Sequence, residues 1–450
     1  MQIKGKYIIC YYAVLLLIMM SWTDYNSFPS MIFRIVFLLA VIVPGYLDRD
    51  CTLPAAITCF WGIAVNGYAY SYMPTQEFLY VGILMISTIV MHRYDKKAML
   101  YRGYILPVIL FFFVTIRNIA GSTSIEEITW GLLIFILFPF FIDDSSCNNE
   151  KKMSWAFMTM TTVLSFYTFT TQDLFAGQVG GKLLERSGWT DPNYLSMIVG
   201  MGAIIGFRNI LRIRSIDKFT MVLSLSSFCM AIPAMLLLVS RGGLLCLCGG
   251  IVVLMFASKV KTTYKIGVVC LILFFVVVLY TNDFLAMLEE RLNGEANGSN
   301  NERLWILENR LNAFFDGNPL CWLVGYGLQD GMKLGLPYPM GSHNDYVAFL
   351  AEYGIIGLIL FLCLLLLPFY NLKYGTKVIG ETCALTVYLL LASLTLEPFA
   401  FGRWVYYVFL LYIIIIVRTD NTVRKKTRII KDISPKIEEN LNVQIKNKKE

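Results

Sequence analysis

Apolar segments of about twenty residues, separated by short polar segments, follow one another along most of this chain. A helix of that length crosses the hydrocarbon layer of a membrane, so each segment is a candidate transmembrane helix. Some segments are short or interrupted, and we predict an all-α, polytopic membrane protein with about 12–14 transmembrane helices. The candidate spans lie at residues 7–22, 30–47, 51–70, 76–92, 99–119, 125–142, 153–171, 192–210, 219–239, 241–258, 264–281, 343–370, 378–396 and 401–418.

The composition agrees with this class. Of the 450 residues, 57% are hydrophobic and only 15% are charged, and the mean hydropathy is +0.62. A soluble protein of this size could not bury so much apolar surface. The formal net charge of +7 does not indicate nucleic acid binding, because the basic residues form short clusters between apolar segments rather than one face.

Lysine and arginine are concentrated in every second loop, which predicts the orientation of the chain in the membrane. The loops at 21–29, 71–75 and 118–124 contain neither residue and are therefore placed outside. This alternation predicts an even number of crossings with both termini in the cytoplasm. The basic loop residues are Arg49, Arg93, Lys96, Lys97, Lys151, Lys152, Arg208, Arg212, Arg214, Lys218, Lys259, Lys261, Lys265, Lys373 and Lys377, followed by the tail from Arg418.

The longest polar segments divide the chain into four parts. Transmembrane helices occupy residues 1–281, with a short external loop at 172–191. A large periplasmic loop follows at 282–342 and is too long to be a simple connection. The last transmembrane helices lie at 343–418, and residues 419–450 form a basic cytoplasmic tail.

The large loop contains a predicted amphipathic helix at residues 302–315. Arg303 and Arg310 lie seven residues apart on a face other than the apolar one. We expect the helix to lie at the membrane interface with its apolar stripe against the membrane domain. The residues of that stripe are Leu304, Leu307, Leu311, Phe314 and Phe315.

Arginine on the external face needs an explanation, because orientation and burial both disfavour it there. Arg241 begins a span in the SRGG motif at 240–243. Ser240 can cap the new helix, and the two glycines let backbone or a ligand approach closely. A guanidinium beside a helix N-terminus suits an anion such as a pyrophosphate. The alternative is an arginine that only anchors the helix end.

Three further external arginines have weaker local support. Arg186 precedes SGWTDPN at 187–193, where Pro192 takes the first helical position and a cation again lies near a positive helix end. The alternative for Arg186 is a structural turn. Arg303 and Arg310 lie on the surface of the predicted helix, where a charge is often only solvated.

His343 is the best candidate for a reactive group. The chain has two histidines, and His343 is the one placed outside, in GSHNDY at 341–346. We predict that Ser342 caps a helix beginning at Asn344, so that the positive helix end lowers the pKa of His343 and favours its neutral form. A neutral imidazole beside arginines can accept a proton from a sugar hydroxyl while the cations hold a phosphate leaving group. The alternative is an interfacial histidine that bonds to a loop.

No metal or other cofactor is expected. Zinc needs more ligands than one external histidine supplies, and the chain has no acidic pair with metal-ligand spacing. The eleven cysteines are scattered, mostly in apolar spans. Glu352 and Glu397 are rare acids at membrane depth, and each is expected to pair with an external arginine or another structural partner.

In their order along the chain, these motifs resemble the O-antigen ligase and O-antigen polymerase family of membrane glycosyltransferases. The resemblance covers about residues 186–370. It is carried by SRGG at 240–243, NERLWILENRLNAFFDGNPLCWLVGYGL at 301–328 and GSHNDYVAFLAEYGIIGLILFL at 341–362.

The resemblance implies a metal-independent, inverting glycosyltransferase of the bacterial inner membrane. Its substrates would be polyprenyl-diphosphate-linked oligosaccharides on the periplasmic face. Arg186, Arg241 and Arg303 would bind the diphosphate, and His343 would be the catalytic base. Arg310, Asn344 and Glu352 are supporting candidates.

Three functions stay open at this point. We favour a polymerase, because the many spans and the generic first 170 residues fit an enzyme specific for one repeat unit. A ligase uses the same chemistry with lipid A–core as acceptor. A flippase or other carrier is the third, although its halves would often be repeated and this chain has no visible repeat. Besides the substrates, the expected partners are membrane lipid and a chain-length regulator.

Overall fold

The computed structural model describes residues 103–119, 147–171, 192–212, 216–238, 240–257, 262–263, 265–267, 270, 277, 299–373, 378–396, 399 and 406–421. All regular structure within these ranges is helical, which confirms the all-α class. The helices are α1 (Ile105–Ile119), α2 (Cys147–Thr171), α3 (Pro192–Ile210), α4 (Lys218–Leu237), α5 (Arg241–Ala257), α6 (Ser299–Phe315), α7 (Pro319–Val324), α8 (Leu328–Lys333), α9 (Asp345–Leu365), α10 (Leu367–Tyr370) and α11 (Ile379–Thr395). Residues 406–421 form a further helix, α12.

The apolar helices coincide with predicted spans. Helices α4 and α9 are each long and apolar enough to cross a membrane, and α1, α5 and α11 are shorter apolar helices. The chain is therefore a helical membrane protein. The predicted spans before residue 99 and the span at 125–142 lie outside the described residues, so the total of about 12–14 stays a prediction.

Helices α3 and α12 form the interior of the described bundle. From Tyr406 to Val417, every side chain of α12 is at most 1% exposed. Helix α3 is buried from Tyr194 to Asn209 and packs against α2, α4 and α5. Small residues allow this close approach, since a Cβ added at Gly202 would overlap a side chain of α2. Most side chains of both helices are apolar, as expected for buried helices.

One buried arginine joins four helices. Arg208 of α3 is 3% exposed, and its Nε and Nη2 donate to Glu381 Oε2 of α11 at 2.5 Å and to Glu150 Oε1 of α2 at 2.6 Å. Its Nη1 donates to the hydroxyl of Tyr412 in α12 at 3.2 Å, and Arg212 adds a second ion pair to Glu381. The start of α2, the end of α3 and the start of α11 thus share one end of the bundle, in agreement with the predicted alternation of crossings.

Helix α9 is broken, whereas the sequence predicted one continuous span at 343–370. At Gly354 the backbone leaves the helical region, with φ 68° and ψ −167°. This conformation favours glycine and interrupts the helical hydrogen-bond ladder. The N–H groups of Tyr326 and Gly327 donate instead to the carbonyls of Ala351 at 2.9 Å and Glu352 at 2.8 Å. The polar loop therefore satisfies carbonyls that would be costly to leave unpaired at membrane depth.

Helix α6 confirms the predicted helix in the large loop, but its buried face differs from the prediction. The buried side chains are Ile306, Arg310 and Phe314, each 0–1% exposed. Leu304 and Phe315 of the predicted buried stripe are 64% and 59% exposed. The four-residue spacing of the buried set puts an arginine on the packed face, because loop carbonyls bind its guanidinium there.

The four-helix ion cluster predicts a large loss of stability for Arg208→Met. Removing this cation leaves the carboxylates of Glu150 and Glu381 close together and poorly compensated, which costs about 3–5 kcal/mol. The matched control is Lys151→Met, because the Lys151–Asp217 pair is exposed, with side-chain exposures of 47% and 36%, and is worth about 1 kcal/mol or less. Thermal unfolding of the purified protein in detergent measures both. Equal losses in the two variants would contradict this account of the cluster.

Candidate active site

The backbone of His343 is in an unusual conformation. Its φ is 51°, and it is the one non-glycine residue with positive φ among those the structure describes. Histidine is among the residues that tolerate this region, yet the conformation still costs about 1–3 kcal/mol. Strain of this kind is often found where a side chain must point in a particular direction for function.

The environment of His343 favours its neutral form. Partial burial and the positive charge of Arg303 lower the pKa of His343 to about 4. Glu302 acts in the opposite direction, and Arg310 adds a smaller lowering effect. The expected direction of the shift is therefore found, and burial and the α6 arginines are its causes.

Asn344 caps α9, whereas the sequence predicts Ser342 in this role. The helix begins at Asp345, and the Asn344 side chain accepts a hydrogen bond from the Val347 N–H at 3.2 Å. Ser342 is fully buried and braces the residue before the helix. Its hydroxyl donates to the Asn344 carbonyl at 2.7 Å and accepts from the Asn344 N–H at 3.3 Å. His343 therefore lies between two residues whose polar groups are bonded together.

The start of α9 is attached to the end of α11. The Asn344 amide donates to the Leu394 carbonyl at 3.3 Å, and the Asp345 N–H donates to the Leu396 carbonyl at 3.2 Å. The buried Asp345 carboxylate accepts hydrogen bonds from the Phe399 N–H at 3.1 and 3.3 Å. These contacts fix the backbone on the C-terminal side of His343.

The SRGG motif lies at the same end of the bundle. Ser240 caps α5 as predicted, because its hydroxyl accepts a hydrogen bond from the Gly243 N–H at 3.2 Å. A Cβ added at Gly242 would lie 3.1 Å from Thr395 at the end of α11. The glycines thus permit close packing of neighbouring helices. Since the end of α11 also holds Asn344, Arg241 at the start of α5 and His343 just before α9 lie at the same end of the bundle.

Arg310 fastens the loop that leads to His343. It is 0% exposed, and its Nη2 donates to the carbonyls of Met332 at 3.0 Å and Met340 at 2.5 Å. Met340 also donates its N–H to the Met332 carbonyl at 3.1 Å. Arg310 therefore closes the loop at 333–339 just before His343. Arg303 lies about one turn before Ile306, the first buried residue of α6, and is only partly buried.

For three of the charged residues singled out in the sequence, the predicted roles stay predictions. Arg186 and Glu397 lie outside the described residues. Glu352 is fully buried in α9, where a Cβ added at Gly331 of α8 would lie 2.6 Å from its Cγ. Its pairing with an external arginine stays a prediction.

The sequence pattern does not single out Arg117, because the residue falls inside the fifth predicted span at 99–119. Arg117 is in the last turn of α1, and its Nε and Nη2 donate to the carbonyls of Val324 at 3.1 Å and Gly325 at 2.6 Å. One signal in the sequence could have identified Arg117: it directly precedes the external loop at 118–124, which contains no Lys or Arg.

These residues form a basic, partly buried site at one end of the bundle. It combines a histidine held in its neutral form with the partly buried Arg303. Arg241 begins α5, which packs against α11, the helix that also holds the start of α9. Such an arrangement can accept a proton and stabilise an anion in the same reaction.

The comparison with protein families gives the class of this site. Residues 225–362 match the family model described as O-antigen ligase. The matched segment runs from α4 into the second part of α9, and it contains Arg241, Arg303 and His343. The chain is thus a helical membrane protein in which residues 225–362 are similar to the O-antigen ligase family, and the predicted resemblance is confirmed over this segment. A comparison with curated proteins gives no match.

The two charges beside His343 predict opposite effects on its titration. Arg303→Gln should raise the pKa of His343 above about 4, and Glu302→Gln should lower it further, because these neighbours act with opposite sign. In a His92→Asn background His343 is the remaining histidine, so ¹³C-histidine NMR reads it alone. A shift in the same direction in both variants would show that the two charges do not act on His343 as described.

Proposed function

We propose that this protein is an O-antigen polymerase. It joins polyprenyl-diphosphate-linked oligosaccharide repeat units on the periplasmic face of the bacterial inner membrane. The observation that supports this most directly is the placement of His343, neutral and beside Arg303, within the segment that matches the O-antigen ligase family.

In the proposed reaction, His343 accepts the proton of an acceptor hydroxyl. The hydroxyl oxygen then forms a bond to the anomeric carbon of the donor glycan. The bond from that carbon to the diphosphate oxygen breaks, and its electron pair leaves with the polyprenyl diphosphate. Attack from the opposite side inverts the anomeric configuration. Arg303, Arg241 and Arg186 are the residues proposed to stabilise the negative charge of the leaving group.

In this scheme, binding of the donor raises the pKa of His343 and makes it a stronger base. A histidine with a pKa of about 4 is neutral at physiological pH but is a weak base. A diphosphate bound to Arg303 would offset the positive charge that lowers this pKa. His343 therefore becomes a stronger base once the donor occupies the site.

An O-antigen ligase is the second candidate, and the description of the matched family model supports it. Ligase and polymerase would use the same base and the same leaving group. They differ in the acceptor, which is lipid A–core for the ligase and a second lipid-linked repeat unit for the polymerase.

The effect of the donor on the base predicts two different acid limits in the pH–rate profile. The acid limb of kcat/KM reports the free enzyme and should fall near pH 4, whereas the limb of kcat reports the complex and should lie at higher pH. Purified protein with a lipid-linked repeat unit provides the assay. Enzyme incubated in acid and returned to pH 7 controls for unfolding. A kcat limb at or below the kcat/KM limb would contradict the proposed charge compensation.

The lipopolysaccharide banding pattern tests the function in cells. Cells without the gene are compared with cells that carry only His343→Asn, a substitution that tolerates positive φ but removes the base. His92→Asn is the matched control for loss of a histidine.

A polymerase predicts core bearing one repeat unit and no ladder in both the deletion and the His343→Asn strain, with a normal ladder in the His92→Asn strain. Bare core with glycan accumulating on the periplasmic lipid carrier would assign the ligase. Glycan retained on the cytoplasmic face would assign a carrier. An unchanged ladder in the His343→Asn strain would overturn the role of His343.

A further inference from the structure

Arg117 contacts the functional loop from outside the segment that matches the family. It is on α1, more than one hundred residues before that segment. Its guanidinium donates to two successive carbonyls, those of Val324 at 3.1 Å and Gly325 at 2.6 Å. Two donors from one planar group fix both the position and the direction of the turn at 324–327, since neither carbonyl can rotate without losing its bond.

The same turn fills the break in α9. The N–H groups of Tyr326 and Gly327 donate to the carbonyls of Ala351 and Glu352 at 2.9 and 2.8 Å. The fit is tight, because a Cβ added at Gly354 would lie 2.6 Å from the backbone nitrogen of Gly325. The turn at 324–327 therefore lies between the guanidinium of Arg117 and the broken helix.

Helix α1 also contacts the broken helix directly. The amide of Asn118, the residue after Arg117, donates to the hydroxyl of Tyr353 at 3.2 Å, and both side chains are buried. The end of α1 thus touches the turn and the last residue before the break. Helix α1 packs along α9 as well.

These contacts determine the position of His343 through a short rigid segment. The first part of α9, residues 345–353, begins two residues after His343. The end of α11 holds this part at its start, and the turn at 324–327 holds it at the break. A shift of the turn would tilt residues 345–353 and move the backbone that presents the imidazole.

We propose that Arg117 is a positioning residue for glycosyl transfer, and that it holds His343 in place through the turn at 324–327 and the first part of α9. Its Nε and Nη2 are engaged with carbonyls, so Arg117 acts on the structure of the loop and not as a ligand of the diphosphate. This inference rests on the proposed function of His343 as the base.

The first test measures the position of His343 without any reaction. In the His92→Asn background, ¹³C-histidine NMR gives the pKa of His343, which is about 4 when the ring is partly buried. Arg117→Met should raise it toward 6.5, because a displaced loop exposes the ring to water. Arg117→Lys keeps the charge but cannot span both carbonyls, and it should also raise the pKa. Lys333→Met removes an exposed charge of α8 and should leave it unchanged.

The second test separates positioning from binding. Misplacement of a reacting group by about 1 Å can reduce the rate about 100-fold, so kcat should fall about 10–100-fold in Arg117→Met and less in Arg117→Lys. The KM for the lipid-linked donor should change little in both variants. Gly325→Ala displaces the same turn, so its effect and that of Arg117→Met should not add in the double variant.

Either of two results would overturn the proposal. One is an unchanged His343 pKa and kcat in both Arg117 variants. The other is a raised donor KM with kcat preserved, which would make Arg117 a binding residue. If the NMR shifts occur but the wild-type protein forms no glycosidic bond, the coupling between Arg117 and His343 stands and the proposed function fails.

Discussion

The described site depends on the replacement of lost helical hydrogen bonds at the break in α9. A membrane helix satisfies its own carbonyls, and a break leaves several of them without donors in a region where water is scarce. Here the backbone N–H groups of Tyr326 and Gly327 supply the missing bonds. The stability of the broken helix α9 therefore depends on hydrogen bonds donated by the polar loop. A loop bonded in this way has one register against α9, and that register determines where the residues around His343 lie.

The arginines near His343 have different physical roles. Arg310 and Arg117 each donate to two backbone carbonyls, so their charges are used largely to fix the loop. Arg303 is only partly buried and exerts the largest charge effect on His343. It is therefore better placed to meet an anion from solvent or from the membrane interface. A count of external arginines in the sequence does not separate these functions, because burial and carbonyl contacts depend on residues far apart in the chain.

The sequence predicted those features that depend on local patterns. Hydropathy located the helices, Ser240 was recognised as a cap from its position before a span, and the spacing of leucines located α6. Apart from the cap of α9, where Asn344 and not Ser342 bonds the first turn, the errors came from tertiary structure. The sequence placed Arg310 on a water-facing surface because nothing local shows that Met332 and Met340 offer carbonyls to it. The sequence predicts Gly354 within a continuous span, because the break becomes favourable only once the turn at 324–327 supplies donors. Arg117 was hidden by the assignment of its helix to the membrane.

The low pKa of His343 has a consequence for the order of events in the proposed reaction. A base that is weak in the free enzyme does not deprotonate an acceptor hydroxyl before the donor arrives, so little proton abstraction occurs without a glycan to transfer. The diphosphate then brings the charge that offsets Arg303, and base strength rises at the moment when a leaving group is present. Arg303 would both lower the pKa of His343 in the empty site and bind the donor. Donor binding and the rise in the His343 pKa are therefore coupled without a conformational change. The coupling instead needs a fixed distance between Arg303 on α6 and His343 before α9. The hydrogen bonds from the turn at 324–327 to α9 and from Arg310 to the loop before His343 maintain that distance.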